Sequence, residues 1–495
     1  MTEAFDLPPQ RDLVDGSWLE PTASRDEWIE DPNTGARAQR QARTDESTVD
    51  AALAAAWRDH TAGRWAGRSP ADRAEVLGAL ADALEPRVAE VARLEAATSG
   101  ATIGTTSMLG FIVHAAFRLA AAQLGEGVLS ARFPGPTGRD VEVERHGWGP
   151  AVLLVPWNAP APMAAHKAAS ALAAGCPVII KPPERAPHGT AAIAAAFDEV
   201  AADHDLPPAL VQLVHGGPEV GAALIGDRRC RAVSFTGGTE GGRAIAHQCA
   251  EGLKPVQLEL GGHSPLVVLP DADLDLAADA VVGLLTTLNG QWCRALGRVL
   301  VPAAHHDELV DRVADRLAGL VLGSSLDPGS QMGPIVHSSH LAMLHGRLDA
   351  LVAAGGTAVA PTPLPGGDLA TGNWLAPTLV TGVDPARTTT EVFGPIAAVH
   401  AYDTVDDAVA IANGTDYGLE AYVVGTDEDA AMAVARRIVA GGVKVNGVSP
   451  ISLHLMAPRP AWGISGLVDE GTIETIRFFG GNRVVGVEGS LGAPS

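Results

Sequence analysis

Aromatic residues make up only 4% of this 495-residue chain, so close packing must come mainly from Leu, Val, Ile and Ala. Cysteine is also scarce. The four present, Cys176, Cys230, Cys249 and Cys293, are widely spaced and fit no CxxC metal pattern, so no metal site is expected. The first three read as small buried filler. Positive charge is short as well: 35 Lys and Arg stand against 58 Asp and Glu, for a net charge of -23. Binding a polyanion through counterion release needs a basic surface, and the strongest basic run, Arg37 to Arg43, is thin. No nucleic acid and no membrane is expected as a partner. The apolar stretch Ala168 to Ile180 stops at Lys181 and is too short to span a bilayer. The opening MTEAFDLPPQRDLVDG lacks a basic segment followed by an apolar run, so no signal peptide is expected and a reducing cytoplasm is the default.

What is present is a long chain with 46% apolar residues, too large for one core, which predicts two or three domains. Thr48 to Ala97 carries apolar residues at helical spacing, with Ser69-Pro70 as an N-cap followed by a proline at the first helical position. A further helix is expected around Gly110 to Leu124. IEDPNTG (Ile29 to Gly35) reads as a turn between short strands. In FPGPTGRDVEVERHGW, Val141 and Val143 alternate with Glu142 and Glu144, the pattern of an exposed hairpin-like arm. From Gly149 onward strands alternate with helices: GPAVLLVPWN, then Met163 to Ala174, GCPVIIKPPE, HGTAAIAAAFDEVAADHD, ALVQLVHG, EVGAALIGD and CRAVSFTGG. After VQLELGG and SPLVVLP a second such set begins, with Leu274 to Leu288 helical. This alternation predicts an α/β chain with mostly parallel sheets covered on both faces.

Several short runs carry chemistry. Cys293 sits in LNGQWCRALGR, where Asn289, Gly290 and Gln291 suit a tight turn beside a helix start whose backbone N–H groups favour a thiolate. Glu259 in LELGGHSP places a carboxylate between apolar neighbours, as needed for a base raised by desolvation. Asn158 in VPWNAP is a neutral donor suited to an oxyanion. Each also has a plain structural reading: a buried cysteine, a strand-end carboxylate, an amide capping the turn before Pro160. Together they read as thiol attack on an aldehyde, hydride loss to a nicotinamide and hydrolysis of the resulting thioester.

The combination of VPWNAP, IIKPPE, FTGGTEGG, LELGG, the Cys293 run, EVFGPI and KVNG resembles the aldehyde dehydrogenase superfamily, of the NAD(P)-dependent, non-acylating, hydrolytic type, from about Ile29 to Ile476. The resemblance implies a Rossmann-like dinucleotide domain (1–124 and 148–261), an α/β catalytic domain (262–462), and a small β oligomerisation arm with the C-terminal segment (125–147 and 463–495). It implies Cys293 as nucleophile, Glu259 as base and Asn158 in the oxyanion hole. Cofactor contacts fall on Val155, Pro156, Trp157, Lys181, Glu184, Phe235, Gly237, Gly238, Gly242, Leu260, Glu391 and Phe393. Lys181 and Glu184 correspond to residues that meet the adenosine ribose, Gly237 and Gly242 to the GxxxxG of the pyrophosphate turn, and Glu391 and Phe393 to the nicotinamide side. A carboxylate at Glu184 repels a 2′-phosphate, which favours NAD over NADP. Asn446 takes the place of an asparagine near the substrate funnel.

The chain departs from the family pattern in places. His263 replaces a lysine, Gly238 stands where serine is frequent, and Ala159 replaces a frequent phenylalanine. Pro458 to Glu470 lacks the common FGG and lysine, with Arg459 where a pocket aromatic is frequent. Met163, His166, Trp292, Arg294, Ile451, His454 and Arg459 are the substrate-pocket candidates. Arg294 and Arg459 suit an anionic substrate or, more plainly, ordinary loop or surface salt bridges. The expected partners are a small aldehyde and further copies of this chain, as a homodimer or homotetramer. Two other readings stay open: a CoA-acylating enzyme, which would keep Cys293 but usually lacks the Glu259 equivalent, and a non-catalytic structural or binding homologue. A nucleotide-independent thioesterase would leave Lys181, Gly237 and Glu391 unused.

Overall fold

The computed structural model describes residues 6–489. Residues 1–5 and 490–495, assigned above to the first domain and to the C-terminal segment, lie outside the described residues. Two sheets organise the chain. The first has eight strands, in the spatial order Ser17–Leu19, Asp12–Val14, Val211–Leu213, Val178–Lys181, Ala151–Leu154, Ala232–Thr236, Val256–Glu259 and Gly466–Leu467. Its five central strands are parallel. Chain order reverses between Ala151–Leu154 and Ala232–Thr236, a switch point that opens a crevice at the carboxyl ends of the strands.

The second sheet has seven strands, running Thr357–Val359, Thr378–Thr381, Ile396–Tyr402, Leu296–Pro302, Ser264–Val268, Glu420–Val424 and Gly442–Val445. All its pairings are parallel except the first. Helices flank both sheets, as the strand–helix alternation predicts. The scarcity of rings is met with alanine: the Pro160–Ala174 helix is buried along nearly its whole length, and small side chains let it lie close to its neighbours.

The β arm is a three-stranded antiparallel sheet in which Asp140–Gly147 lies between Ser130–Pro134 and Gly480–Val485. The IEDPNTG turn joins Ala23–Glu30 to Arg37–Arg43, and the Asp31 carboxylate accepts from the Asn33 N–H and the Thr34 hydroxyl. Ser69 caps the Pro70–Leu84 helix in a capping box with Asp72.

Three local readings are corrected. The helix expected at Gly110 to Leu124 begins earlier, as Ile103–Gly125, because Thr102 caps it; the polar and glycine residues of its first turns mask the periodicity. By length and composition this helix would also cross a bilayer; in the fold it packs on the Pro70–Leu84, Val88–Ser99 and Pro160–Ala174 helices. The helix expected through Leu288 stops at Thr286, and Leu288 and Asn289 take φ values of 49° and 58°. The C-terminal segment does not belong to the arm alone. Gly466–Leu467 completes the first sheet against Val256–Glu259, and Trp462–Gly463 pairs with Tyr417–Gly418.

Candidate active site

The first sheet delivers three strand ends to one cavity of about 650 Å³: Val155 to Ala159, Phe235 to Gly238, and Glu259 to Gly261. Cys293 enters the same cavity from the loop that precedes the Leu296–Pro302 strand. No helix starts there, so the helix-start expectation for the thiol fails. The loop is held by buried amides instead. Asn289 Nδ2 donates to Gly100 O (2.8 Å) and Pro334 O (2.9 Å), and its Oδ1 accepts from Gly333 N. Gln291 Oε1 accepts from Val336 N, while Gln291 O accepts from Asn158 Nδ2 at 2.9 Å. Gly262 has no room for a Cβ, because the Cys293 carbonyl oxygen occupies that space.

The Cys293 thiol and the Glu259 carboxyl line the same cavity, close enough that each shifts the other's ionisation. Burial, and then Glu259 itself, push the thiol well above its ordinary value, against the pull of Arg294. Burial and the nearby Glu470 raise Glu259 to about 7, opposed by Arg294. The resting pair is therefore a neutral thiol beside a carboxyl group poised near neutrality. Behind it, Lys167 Nζ meets Glu470 Oε1 at 3.0 Å and Ser234 Oγ at 2.7 Å, both carboxylate and ammonium buried. Burial opposes ionisation of Glu470, but Lys167 and Arg459 outweigh it and hold the group down at about 2.

A second carboxylate group serves the other strand ends. Glu391 Oε1 accepts from Gly262 N at 2.9 Å, and burial raises Glu391 to about 7. Phe393, at φ 56°, packs edge-on against Trp157 (5.5 Å) and His340 (6.1 Å). At the start of the Thr239–Glu251 helix, the hydroxyls of Thr236 and Thr239 are buried without a hydrogen-bond partner, and Gly238 occupies the N-cap.

This chain, at residues 18–485, matches the model of the aldehyde dehydrogenase family. A geranial dehydrogenase of Castellaniella defragrans is 33% identical over 446 residues, covering 89% of this chain and 91% of that protein. A betaine aldehyde dehydrogenase of Cereibacter sphaeroides is 34% identical, covering 89% of each. Among solved structures, a betaine aldehyde dehydrogenase from Staphylococcus aureus in complex with NAD+ superposes with a TM-score of 0.90 at 28% identity, over 96% of this chain and 94% of that one. Aldehyde dehydrogenase C of Pseudomonas syringae, with NAD+ and octanal, gives 0.87 at 31% identity over 96% of each. The chain belongs to the aldehyde dehydrogenase family. It is an NAD(P)-dependent oxidoreductase that acts on aldehydes through Cys293.

The dehydrogenase cavity gathers most of the residues expected from sequence. Asn158, Glu259 and Cys293 line it, as do Val155, Pro156, Trp157, Glu184, Phe235, Gly237, Gly238, Leu260, Glu391 and Phe393. Lys181 does not line it; its Nζ is spent on Gly216 O (2.7 Å), Pro182 O (2.9 Å) and Glu184 (3.4 Å). Gly242 is also absent from the lining: it lies inside the Thr239–Glu251 helix, where a Cβ would strike the Leu260 side chain, so its task is helix–strand packing. The Gly237 N–H is not free either, since it donates to Glu259 O at 3.1 Å.

Of the substrate-pocket candidates, Met163, His166, Trp292, Arg294, Ile451 and Arg459 line the cavity of this aldehyde dehydrogenase. His454 does not; it is exposed, and its Nδ1 accepts from Met456 N. His166 is no extra base: burial and then Arg459 depress it to about 3. The two arginines are not surface pairs. Arg294 Nε lies 3.2 Å from the buried Glu420, and Arg459 Nη2 lies 3.6 Å from Glu470 and donates to His166 Nε2 at 2.9 Å. Asn446 serves as a turn amide, exchanging two hydrogen bonds with the Gly425 backbone.

Sequence reasoning missed the apolar face Leu109, Ile112, Ala115, Ala116 and Leu119 of the Ile103–Gly125 helix, together with His340, Lys167 and Glu470. All but Leu109 of the first lay inside the expected helix, but helical spacing alone does not say which cavity a face lines. The signal for Lys167 was there: lysine occurs at only four positions, and one of them falls within an otherwise apolar helix.

Proposed function

We propose that this enzyme oxidises aldehydes to carboxylates with NAD, using Cys293 as nucleophile, Glu259 as general base and Asn158 as oxyanion donor. The observation that carries this is that Cys293, Glu259 and Asn158 line one cavity, with Asn158 tied to the Cys293 loop through Gln291 O. Glu259, once ionised, takes the thiol proton as sulfur adds to the aldehyde carbon. Asn158 Nδ2 has a second N–H beyond the one spent on Gln291 O, and with the Cys293 backbone N–H it serves the developing oxyanion. A dinucleotide held by Glu184, Thr236, Thr239 and Glu391 would supply the hydride acceptor for the adduct carbon. Glu259 then activates water against the Cys293 thioester, and the carboxylate departs.

The residues present fit a dinucleotide. The unpartnered Thr236 and Thr239 hydroxyls sit at a helix start suited to phosphate. Glu184 supplies a diol acceptor and disfavours a 2′-phosphate, which supports NAD over NADP, and Lys181 positions Glu184 from behind. Glu391, fixed by Gly262 N, supplies a second diol acceptor. We further propose a cytoplasmic homo-oligomer. All four cysteines are free, and the arm exposes Phe133, Val484 and Val485.

The test is a steady-state screen of diverse aldehydes with NAD and NADP in parallel, with the acid product identified with and without CoA. Cys293→Ala should lose oxidation while still binding NAD. Glu259→Gln should release about one reduced cofactor per site and then stall at the thioester. Full turnover by either variant, or acyl-CoA as the product, refutes the assignment.

A further inference from the structure

Two buried carboxylates near the nucleophile are each shared by two cations. Glu420 lies 3.2 Å from Arg294 and 3.8 Å from Lys444. Glu470 lies 3.0 Å from Lys167 and 3.6 Å from Arg459. His166, which accepts from Arg459, remains neutral, so this end of the cavity carries more positive than negative charge. Of the four cations, Arg294 and Arg459 line the cavity itself. Around them Ile112, Leu119, Met163, Trp292 and Ile451 are apolar, and Glu259 is a third carboxyl group that acts on both arginines, which still leaves four cations against three acids.

Arg459 is the cation with donors to spare. Its backbone is tied to Glu470 by two hydrogen bonds, which fixes where the side chain starts. Its Nη2 donates to His166, and the closest carboxylate is at 3.6 Å, already bonded to Lys167. Among the described residues, Nε and Nη1 have no hydrogen-bond partner, and neither is sealed from solvent. The side chain is 29% exposed in a cavity it shares with Cys293. A guanidinium presents five N–H donors in a planar fork that matches a carboxylate.

We infer that Arg459 is a specificity-determining residue that selects aldehydes bearing a carboxylate at the end remote from the carbonyl. This rests on the reaction proposed above and names its substrate class. The apolar wall would hold the methylene stem, and Arg459 would complete the pairing that Glu470 leaves open.

The test compares kcat/KM, at saturating NAD, for matched linear aldehydes of four to eight carbons ending in a carboxylate or in its methyl ester. The wild-type enzyme should favour the carboxylate at one or more lengths. The carboxylate-to-ester ratio should fall roughly 10- to 100-fold in Arg459→Met, mainly through KM, and less in Arg459→Lys. NAD binding and thermal unfolding check that each variant folds; if Arg459→Met does not, Arg459→Gln gives the same comparison. A wild-type ratio near one at every length, or a ratio unchanged by the substitutions, overturns the inference. Failure of the underlying reaction looks different, since no aldehyde, charged or neutral, would then reduce NAD.

Discussion

Glu95 is a buried acid that the chemistry does not use, and its removal has a calculable effect. It lies on the Val88–Ser99 helix, 3% exposed, and Oε1 accepts from Ala161 N at 2.6 Å. That N–H lies in the first turn of the Pro160–Ala174 helix, which has no side-chain cap of its own and starts two residues after Asn158. Burial raises Glu95 from 4.5 to about 8, against the effect of the Ala161 bond. The native protein thus keeps a proton that the unfolded chain releases above pH 4.5. The stability is fully present below that pH and is lost as pH rises toward 8, at 1.36 kcal/mol per pH unit, or roughly 5 kcal/mol in all. Glu95→Gln keeps an oxygen for the Ala161 N–H and carries no charge at any pH. Urea unfolding of both proteins without cofactor, from about pH 5 to pH 9, reads the difference. The variant should gain on the wild type steadily as pH rises, by several kcal/mol at pH 8.5. Parallel curves for the two proteins would refute the reasoning, because they would mean that Glu95 does not hold its proton in the fold.

Three further outcomes are expected. Alkylation of Cys293 by iodoacetamide should accelerate about tenfold between pH 6 and pH 8 as Glu259 ionises and then level off, and Glu259→Gln should abolish that plateau, leaving a slower rate that keeps climbing with pH as the thiol itself ionises; stopped samples titrated for free thiol measure it. Gly262→Ala puts a Cβ into the Cys293 carbonyl and should lower kcat by at least about tenfold with NAD affinity little changed, since a small misplacement of the nucleophile is enough; single-turnover kinetics separate the two effects. Asn289→Ala leaves Gly100 O, Pro334 O and Gly333 N without their amide partner and should cost about 2–4 kcal/mol of stability, read from the urea midpoint at constant slope.

Much of the fold could be read along the chain because strand and helix periods are local. The strand of GPAVLLVPWN and the strand carrying Val141 and Val143 lie where their patterns put them, and the helix expected from Met163 to Ala174 is present from Pro160. Cys293, Glu259 and Asn158 were legible as short runs, each with its own turn or strand end. What failed was long-range. His454 sits close in sequence to Ile451, yet the chain turns its imidazole outward. Lys167, Arg459 and Glu470 meet only because Gly466–Leu467 docks on the Glu259 strand, and no periodicity encodes that pairing. Gly242 looked like a phosphate glycine by position, but it is small for the sake of Leu260. The lysine count offered a clue of another kind. Lys167, Lys181 and Lys444 are all buried, and only Lys254 lies nearer the surface.

The pairing of Glu259 with Gly466 bears on when the enzyme comes alive. A ribosome adding roughly 5–20 residues per second needs some tens of seconds to travel from one to the other. Throughout that interval the nascent dinucleotide half has an open sheet border beside its key acid, and the partner of Lys167 has yet to be made. Competence therefore arrives with the last stretch of translation, and a chain cut short before Gly466 leaves an unfinished catalyst with a sticky flank.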